Sequence, residues 1–324
     1  MINKGLLDWY KIDINKNLNL KIRCPRPFDT LLFDKKGEVY ACECTAWLPV
    51  PIGNINLQEI DEILQNKNLK ILQDSITDSS YRYCNNNQCS YIVSNLFAKA
   101  TKVKHIRLAV DESCNLECPS CRDKKIFIGK GPLLDKKIKW LNKIIEWIKK
   151  QNAPVQVHIG SDGDPFVSLA YRHFMKQMQT LDLKTVSFSL QTNGLLIKKM
   201  YKRLEYIFDH LNVLNISIDG ATKDTYEKLR LGGLWEKIIE NLQFIKEQKK
   251  FPIYLHMVVQ KDNWHEMGKM LELADQYNFE KVYFNEIENW NTKLDVEEQK
   301  KLFTSEEYLN YINKIKNHSK ARLF

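Results

Sequence analysis

Three thiols crowd one short stretch of this chain. In ESCNLECPSC (112–121), Cys114, Cys118 and Cys121 follow one another with three and then two intervening residues. Three thiolates from one loop can bind three irons of a 4Fe–4S cluster and leave the fourth iron open. Electron-transfer clusters are closed by four cysteines, so an absent fourth ligand points to a centre that binds a small molecule and does chemistry, as an open zinc position does. The competing reading is a structural zinc site completed by a distant cysteine or histidine. The seven histidines do little for it. His158 and His256 lie in strand-like segments, where a packed or hydrogen-bonded ring is the ordinary role.

A second group, Cys24, Cys42, Cys44, Cys84 and Cys89, precedes residue 90. Eight cysteines argue for metal or redox chemistry rather than disulfides, because the opening MINKGLLDWYKIDINKNLNL lacks the apolar stretch of a signal peptide. No run of about 18 apolar residues occurs, so no membrane partner is expected and the cytoplasm is the expected location. The net charge of +9 is spread over 49 basic and 40 acidic residues. Such a surplus reads as a solvated surface, not a nucleic-acid footprint. In DKKIKWLNKIIEWIKK (135–150) the lysines read as the outer face of an amphipathic helix.

The elements that must carry these thiols follow from hydrophobic periodicity. Strand-like segments VKHIRLAV (103–110), VQVHIG (155–160), TVSFSLQT (185–192), VLNISID (213–219), IYLHMVVQ (253–260) and KVYFNEI (281–287) alternate with amphipathic helices such as LWEKIIENLQFIKEQKK (234–250). This pattern predicts parallel strands joined by right-handed crossovers. The expected fold class is α/β, a partial (β/α)6 TIM-like barrel with its site at the C-terminal ends of the strands. Strand one ends in the cysteine loop, and the next three end in GSDGDP (160–165), QTNG (191–194) and DGATKD (219–224). Gly, Asn and Asp also simply make turns, but here several such loops share one rim with the thiols. Before the barrel, FDTLLFDKKGEVYAC (28–42) predicts a β-hairpin turning at Gly37, 57–76 a helix, and 81–91 a loop. The expected domains are 1–95 for this small unit, 96–288 for the barrel and 289–324 for a charged helical extension.

The Cys114-x3-Cys118-x2-Cys121 loop after a first strand resembles the signature of the radical S-adenosylmethionine (radical SAM) enzymes, and residues 103–288 continue the likeness. The resemblance implies that these three cysteines hold a 4Fe–4S cluster whose open iron is chelated by S-adenosylmethionine. Reductive cleavage then yields a 5′-deoxyadenosyl radical that abstracts hydrogen from a substrate. It implies contacts for the cofactor in order along the rim. Ser161, Asp162, Gly163 and Asp164 fall at the methionine amino group, and Ser189, Gln191 and Asn193 at ribose and carboxylate. Ser217 opens the segment ending in Arg230, which suits the carboxylate, and the backbone around Val259 falls near adenine. Two positions depart from the family pattern: Ser120 stands where an aromatic residue is common, and Asp164 where glutamate is.

Cys24-x12-Gly37-x4-Cys42 resembles the opening of the auxiliary-cluster domains called SPASM and twitch, here preceding the barrel rather than following it. The resemblance implies one auxiliary iron–sulfur cluster, of 4Fe–4S type, on Cys24, Cys42, Cys84 and Cys89, with zinc the competing occupant. Cys44 either replaces Cys42, stays a passive thiol or donates a hydrogen atom to a substrate radical. Asp111, Glu112, Asp162 and Glu286 are candidate bases that read as exposed loop residues. The expected partners are a reducing electron donor such as flavodoxin or ferredoxin and a peptide or small-molecule substrate. Modification of a ribosomally made peptide is the first reading, although a first cysteine at residue 24 leaves little room for a leader-binding domain. Dehydrogenation or rearrangement of a carbohydrate or small metabolite is the second. A non-catalytic zinc protein touching nucleic acid is the reading from another class.

Overall fold

The computed structural model describes residues 24–43, 50–84, 89, 104–181, 184–288 and 294–323. The chain divides into two units. The first comprises Met1–Asp111, Pro132–His158 and Asp182–Ser187. Its strands β1 (Thr30–Asp34), β2 (Glu38–Tyr40), β3 (Gly53–Asn54), β4 (Lys104–Ala109) and β5 (Val155–Ile159) lie in the order β5-β4-β1-β2-β3. The expected hairpin is β1 and β2, antiparallel with Leu32 opposite Tyr40. Its turn is closed by Asp34, whose carboxylate accepts from the Lys36 and Glu38 amides at 2.9 and 2.7 Å. Gly37 has φ +86°, and a Cβ there would come 2.9 Å from the Trp140 ring. Glycine is therefore needed both for the left-handed turn and for the close approach.

Beyond the hairpin, β1 runs parallel to β4 with Leu32 opposite Arg107. The single helix expected over 57–76 is two, Ile60–Ile63 and α1 (Lys67–Thr77). The break is at Asn66, whose side chain accepts from the Asn68 amide at 2.8 Å. An asparagine that bonds its own backbone starts a new helix in preference to continuing an old one. In α2 (Pro132–Lys149) Trp140, Leu141, Ile144, Ile145 and Ile148 are buried as the periodicity requires. The reading of its lysines as an outer face needs one correction. Lys137 is buried and donates to the Val110 carbonyl, because it stands three residues after Leu134 and three before Trp140, on the apolar stripe.

The second unit comprises Glu112–Gly131, Ile159–Leu181 and Phe188–Phe324. Strands β6 (Val186–Thr192), β7 (Leu211–Ser217), β8 (Ile253–Val259), β9 (Lys281–Glu286) and β10 (Ala321–Leu323) lie in sequence order, all in parallel register. Alternation along each strand sends Leu190, Leu214, Ile216, Leu255, Met257, Val282 and Phe284 into the core. Each fully buried side chain of this size contributes about 1.5–3 kcal/mol. The crossover helices α3 (Lys223–Leu229), α4 (Trp235–Gln248) and α5 (Met267–Gln276) bury matching stripes, among them Ile238, Leu242, Ile245 and Met270. The opposite strand face carries Ser189, Gln191, Asn215, Ser217, His256 and Tyr283, since side chains two apart share a face. The C-terminal extension is helical over Glu306–Ile315, as expected, but ends in β10, which places Ala321 opposite Val282 of β9. A three-residue strand has no periodicity to read.

Candidate active site

The cysteine loop leaves the end of β4 and is shaped by hydrogen bonds from three other segments. Fully buried Ser113 accepts the Asp164 amide on its carbonyl and the Ile128 amide on its Oγ, both at 2.9 Å. The Cys114 amide donates to Ile126 O at 2.9 Å, and the Glu117 amide to Leu231 O at 3.0 Å. Cys118 O accepts from the amides of Cys121 and Arg122, which forms one tight turn between the second and third thiols. Cys118 is buried, Cys114 half-buried and Cys121 exposed.

Each sulfur faces a nitrogen donor. Asn193 Nδ2 lies 3.7 Å from Cys114 Sγ and donates to Asn115 Oδ1 at 2.8 Å. Arg230 reaches within 3.9 Å of Cys118 Sγ, and Arg122 within 3.4 Å of Cys121 Sγ. The Arg122 guanidinium is itself anchored on the carbonyls of Glu112 and Asp162 at 2.6 and 2.8 Å. Burial pushes the Cys118 thiol up to about 12 against the pull of Arg230. It raises Cys114 as well, with Asp164 adding to the effect. Cys114 and Cys121 lie near enough to Cys118 to add to its rise electrostatically. Among the described residues no three His, Cys, Asp or Glu side chains are arranged to hold a single metal ion. A three-thiol set lined by N–H donors suits the sulfur ligands of an iron–sulfur cluster, whose potential such hydrogen bonds tune.

The rim residues fall into place around this loop. Gly160 has φ +105°, and a Cβ there would stand 2.2 Å from Gln191 O, so the turn Ser161–Asp162–Gly163 sits directly on the end of β6. Asp164 is buried, and its carboxylate accepts from Phe166 N at 3.0 Å, Thr192 Oγ1 at 2.7 Å and Asn193 N at 2.9 Å. It ties the second rim loop to the third, a bracing role that its position in SDGDP does not reveal. On the polar strand face Gln191 donates to Ser217 Oγ at 2.5 Å. Asn215 donates to Leu190 O at 3.2 Å and pairs with His256 Nε2 at 2.9 Å, and the His256 ring stacks on Tyr283. Ser189 is buried beside this row. Arg230 Nε pairs with Asp219 at 2.8 Å, both nearly buried, and Asp219 also accepts the Val258 amide at 2.9 Å. Val259 O accepts from Ile287 N at 3.1 Å, which locks the backbone at the end of β8.

Among the candidate bases the expectation of exposed loop residues needs correction for Asp111, Glu112 and Asp162, and Glu286 ends strand β9. Asp111 is fully buried, whereas Glu112 and Asp162 are half-buried and Glu286 is exposed. Sequence reasoning missed Asp219, Arg122 and Glu266. Asp219 lay in a quoted segment and could have been found as the acid that a buried Arg230 requires. Glu266 had no local signal. Its carboxylate gathers Ala221 N, Thr222 N, Thr222 Oγ1 and Thr225 Oγ1 at 2.6–3.2 Å, which fixes the turn after β7 from forty residues away in the chain.

Burial alone would raise the Glu266 carboxyl, but those donated hydrogen bonds hold it below the usual glutamate range. A depressed folded-state pKa adds stability above the unfolded value of about 4.3, and that stability is lost as pH falls through the folded value. Glu266→Gln is therefore expected to be less stable near neutrality and to lose less on acidification. Thermal midpoints at about pH 7 and about pH 2.5 check this. Equal acid sensitivity of the two proteins would contradict it.

The second thiol set assembles in the first unit. Cys24, Ile76, Tyr81 and Cys89 form one buried cluster with Cys84 packed against it. Cys24 feels Cys42 and Cys89 electrostatically, and Cys84 feels Cys42, Cys89 and Cys24, so four sulfurs from three chain segments converge. Burial pushes the Cys24 thiol up to about 12 and raises Cys84 further. Cys84 is placed by its amide, which donates to Tyr81 O at 2.8 Å after a turn in which Ser79 and Tyr81 take positive φ. Cys44 lies outside the described residues.

Residues 110–274, half of the chain, match the radical SAM superfamily. The chain belongs to that superfamily. Residues 24–90 match the iron–sulfur cluster-binding domain called SPASM, where the resemblance of the Cys24–Cys42 hairpin placed it. The protein is thus an enzyme of the α/β, partial-barrel class with a small domain ahead of the barrel. Its cofactors are S-adenosylmethionine, a 4Fe–4S cluster and an auxiliary iron–sulfur cluster.

The chain is similar to a GTP 3′,8-cyclase of Alkaliphilus metalliredigens, 27% identical over 48% of this chain and 48% of that protein. A GTP 3′,8-cyclase of Aliarcobacter butzleri is 31% identical over 44% of this chain and 42% of that one. A probable GTP 3′,8-cyclase of Saccharolobus islandicus is 23% identical over 65% and 66%. The chain thus spans 42–66% of the length of these curated relatives. Among solved structures, Streptococcus suis SuiB bound to precursor peptide SuiA aligns with 83% of this chain and 55% of its own, at 14% identity and TM-score 0.48. The enzyme anSMEcpe with bound AdoMet aligns with 68% and 64%, at 18% identity and TM-score 0.46. Among the described residues no helix is long and apolar enough to cross a membrane.

Proposed function

We propose that Cys114, Cys118 and Cys121 hold the 4Fe–4S cluster of this enzyme and that Cys24, Cys42, Cys84 and Cys89 hold the auxiliary one. The observation that carries the first assignment is the nitrogen donor set against each sulfur, Asn193, Arg230 and Arg122. When bound, the cluster supplies the single electron that breaks the sulfonium of S-adenosylmethionine and so provides the radical that takes hydrogen from the substrate. The chain's own residues do the positioning. Arg230, gripped at Nε by Asp219 and reaching toward Cys118, would hold the methionine carboxylate with its guanidinium. The Ser161–Asp164 turn would meet the amino group through backbone and side chain, with Asp164 tying the turn to Asn193. Ser189, Gln191, Asn193 and Ser217 would offer hydrogen bonds to ribose and carboxylate, and the backbone at Val259 would meet adenine. We propose domain limits of 1–95, 96–288 and 289–324, and the reducing cytoplasm, which keeps such thiols available, as the compartment.

For the substrate, the reading kept first is a ribosomally made peptide that is crosslinked, converted to a thioether or epimerised. The SPASM match over 24–90 supports it. A second reading, a nucleotide or other small metabolite, is favoured by the relatives named GTP 3′,8-cyclase. Reconstituted enzyme incubated with dithionite, S-adenosylmethionine and either GTP or a peptide encoded beside its gene separates them by mass spectrometry. Peptide modification shows as a mass change in the peptide alone, and conversion of GTP alone would end the peptide reading. Alanine at Cys24 and Cys84 should spare 5′-deoxyadenosine formation yet stop product. Undiminished product would remove the auxiliary set from the reaction.

A further inference from the structure

Tyr226 of α3 is fully buried, yet among the described residues its hydroxyl has no hydrogen-bond partner. Buried hydroxyls are ordinarily paired, because one without an acceptor has given up its water contacts and gained nothing for them. The ring is firmly held. Its amide donates to Thr222 O at 2.9 Å, in the turn that Glu266 gathers. Trp235 packs against it with ring centroids 5.6 Å apart. A Cβ on Gly233 would stand 2.9 Å from the phenol oxygen, so the glycine leaves the hydroxyl its room.

The segment that crosses this hydroxyl also runs along the cysteine loop. Leu231 O accepts the Glu117 amide at 3.0 Å, one residue before Cys118, and a Cβ on Gly232 would stand 3.5 Å from Asn115 O. Arg230, whose amide donates to Tyr226 O at 2.7 Å, reaches within 3.9 Å of Cys118 Sγ. Burial raises the phenol's pKa, opposed by Arg230 and reinforced by Cys118, so both groups lie close enough to act on it. These contacts place Tyr226 on the Cys118 side of the loop. A phenol at neutral pH carries its proton and can donate it in a hydrogen bond.

We infer that the Tyr226 hydroxyl donates a hydrogen bond to a cluster sulfur at Cys118 and thereby sets how readily the cluster is reduced. This inference rests on the reading of Cys114, Cys118 and Cys121 as cluster ligands. Reduction adds negative charge to the cluster, and a hydrogen bond to a more negative acceptor is the stronger one. The donated bond therefore favours the reduced form and raises the potential. No proton is transferred and no covalent bond changes.

The test compares reconstituted holoenzyme of the parent and of Tyr226→Phe, which removes the hydroxyl and keeps the ring. Their iron content per chain should match. A reductive titration followed by electron paramagnetic resonance reads the signal that changes on addition of S-adenosylmethionine, which separates this cluster from the auxiliary one. Measured without S-adenosylmethionine, Tyr226→Phe is expected to make reduction about tenfold less favourable, a midpoint potential lower by about 59 mV. Electron–nuclear double resonance in water and in deuterium oxide should show one exchangeable-proton coupling in the parent that the variant lacks. An unchanged potential with unchanged exchangeable couplings overturns the inference. So does weaker binding of S-adenosylmethionine at an unchanged potential, since the hydroxyl would then serve the cofactor's carboxylate. If no signal of the parent responds to S-adenosylmethionine, the ligand assignment beneath the inference is what fails.

Discussion

Alanine at Cys114, Cys118 and Cys121 together is expected to abolish 5′-deoxyadenosine formation and to lower the iron of reconstituted protein from about eight to about four atoms per chain. The two thiol sets lie in different units, so removal of one leaves the four thiols of the other in place. Cys114 and Cys118 are recessed, and burial holds Cys118 as a thiol at neutral pH without a metal. Alanine in that space removes a group that only metal binding would ionise, so the fold should survive with unchanged circular dichroism. The measurement is anaerobic iron analysis with chromatography of the cleaved cofactor. Cleavage persisting in the triple variant under dithionite would refute the assignment of the loop.

The second large effect concerns the pair that holds Arg230. Asp219→Ala leaves a buried guanidinium without its partner and is expected to cost about 3–5 kcal/mol, the usual penalty for breaking a buried ion pair from one side. It also removes the acceptor of the Val258 amide, so the end of β8 loosens with it. Arg230→Met strands the buried Asp219 carboxylate and should cost a similar amount, whereas the double change removes both charges and should cost less than the two single losses together. Urea unfolding of the two single variants and the double variant reads the coupling directly. A double variant whose loss equals the sum of the single losses would show that the pair does not act as a unit. Arg230→Met should also weaken binding of S-adenosylmethionine, which equilibrium dialysis measures apart from stability.

Much of this molecule could be read along the chain. The thiol spacings, the six strand-like segments of the barrel and the hairpin at Gly37 are local patterns. Strand periodicity of two and a glycine required by positive φ act within a few residues. The observed strands fall within about two residues of the expected ones, the usual latitude of element ends. The misreadings are informative for the same reason. Helix 57–76 broke because Asn66 bonds its own backbone more readily than it extends a helix. Lys137 was placed outside because charge suggests solvent, although its helical position faces the core. β10 was too short to show a period.

Composition and spacing therefore settled which chemistry the chain is built for: three thiols in one loop, four candidate ligands ahead of them, and polar turns at successive strand ends. Folding settled what each group works against. Asn193, Arg230 and Arg122 meet their sulfurs, Asp164 joins two rim loops, and Glu266 secures a turn some forty residues away. Those partnerships depend on distances between segments remote in the chain. A linear pattern records which side chains are present, but their neighbours are set by register and packing, and with them charge, burial and reactivity.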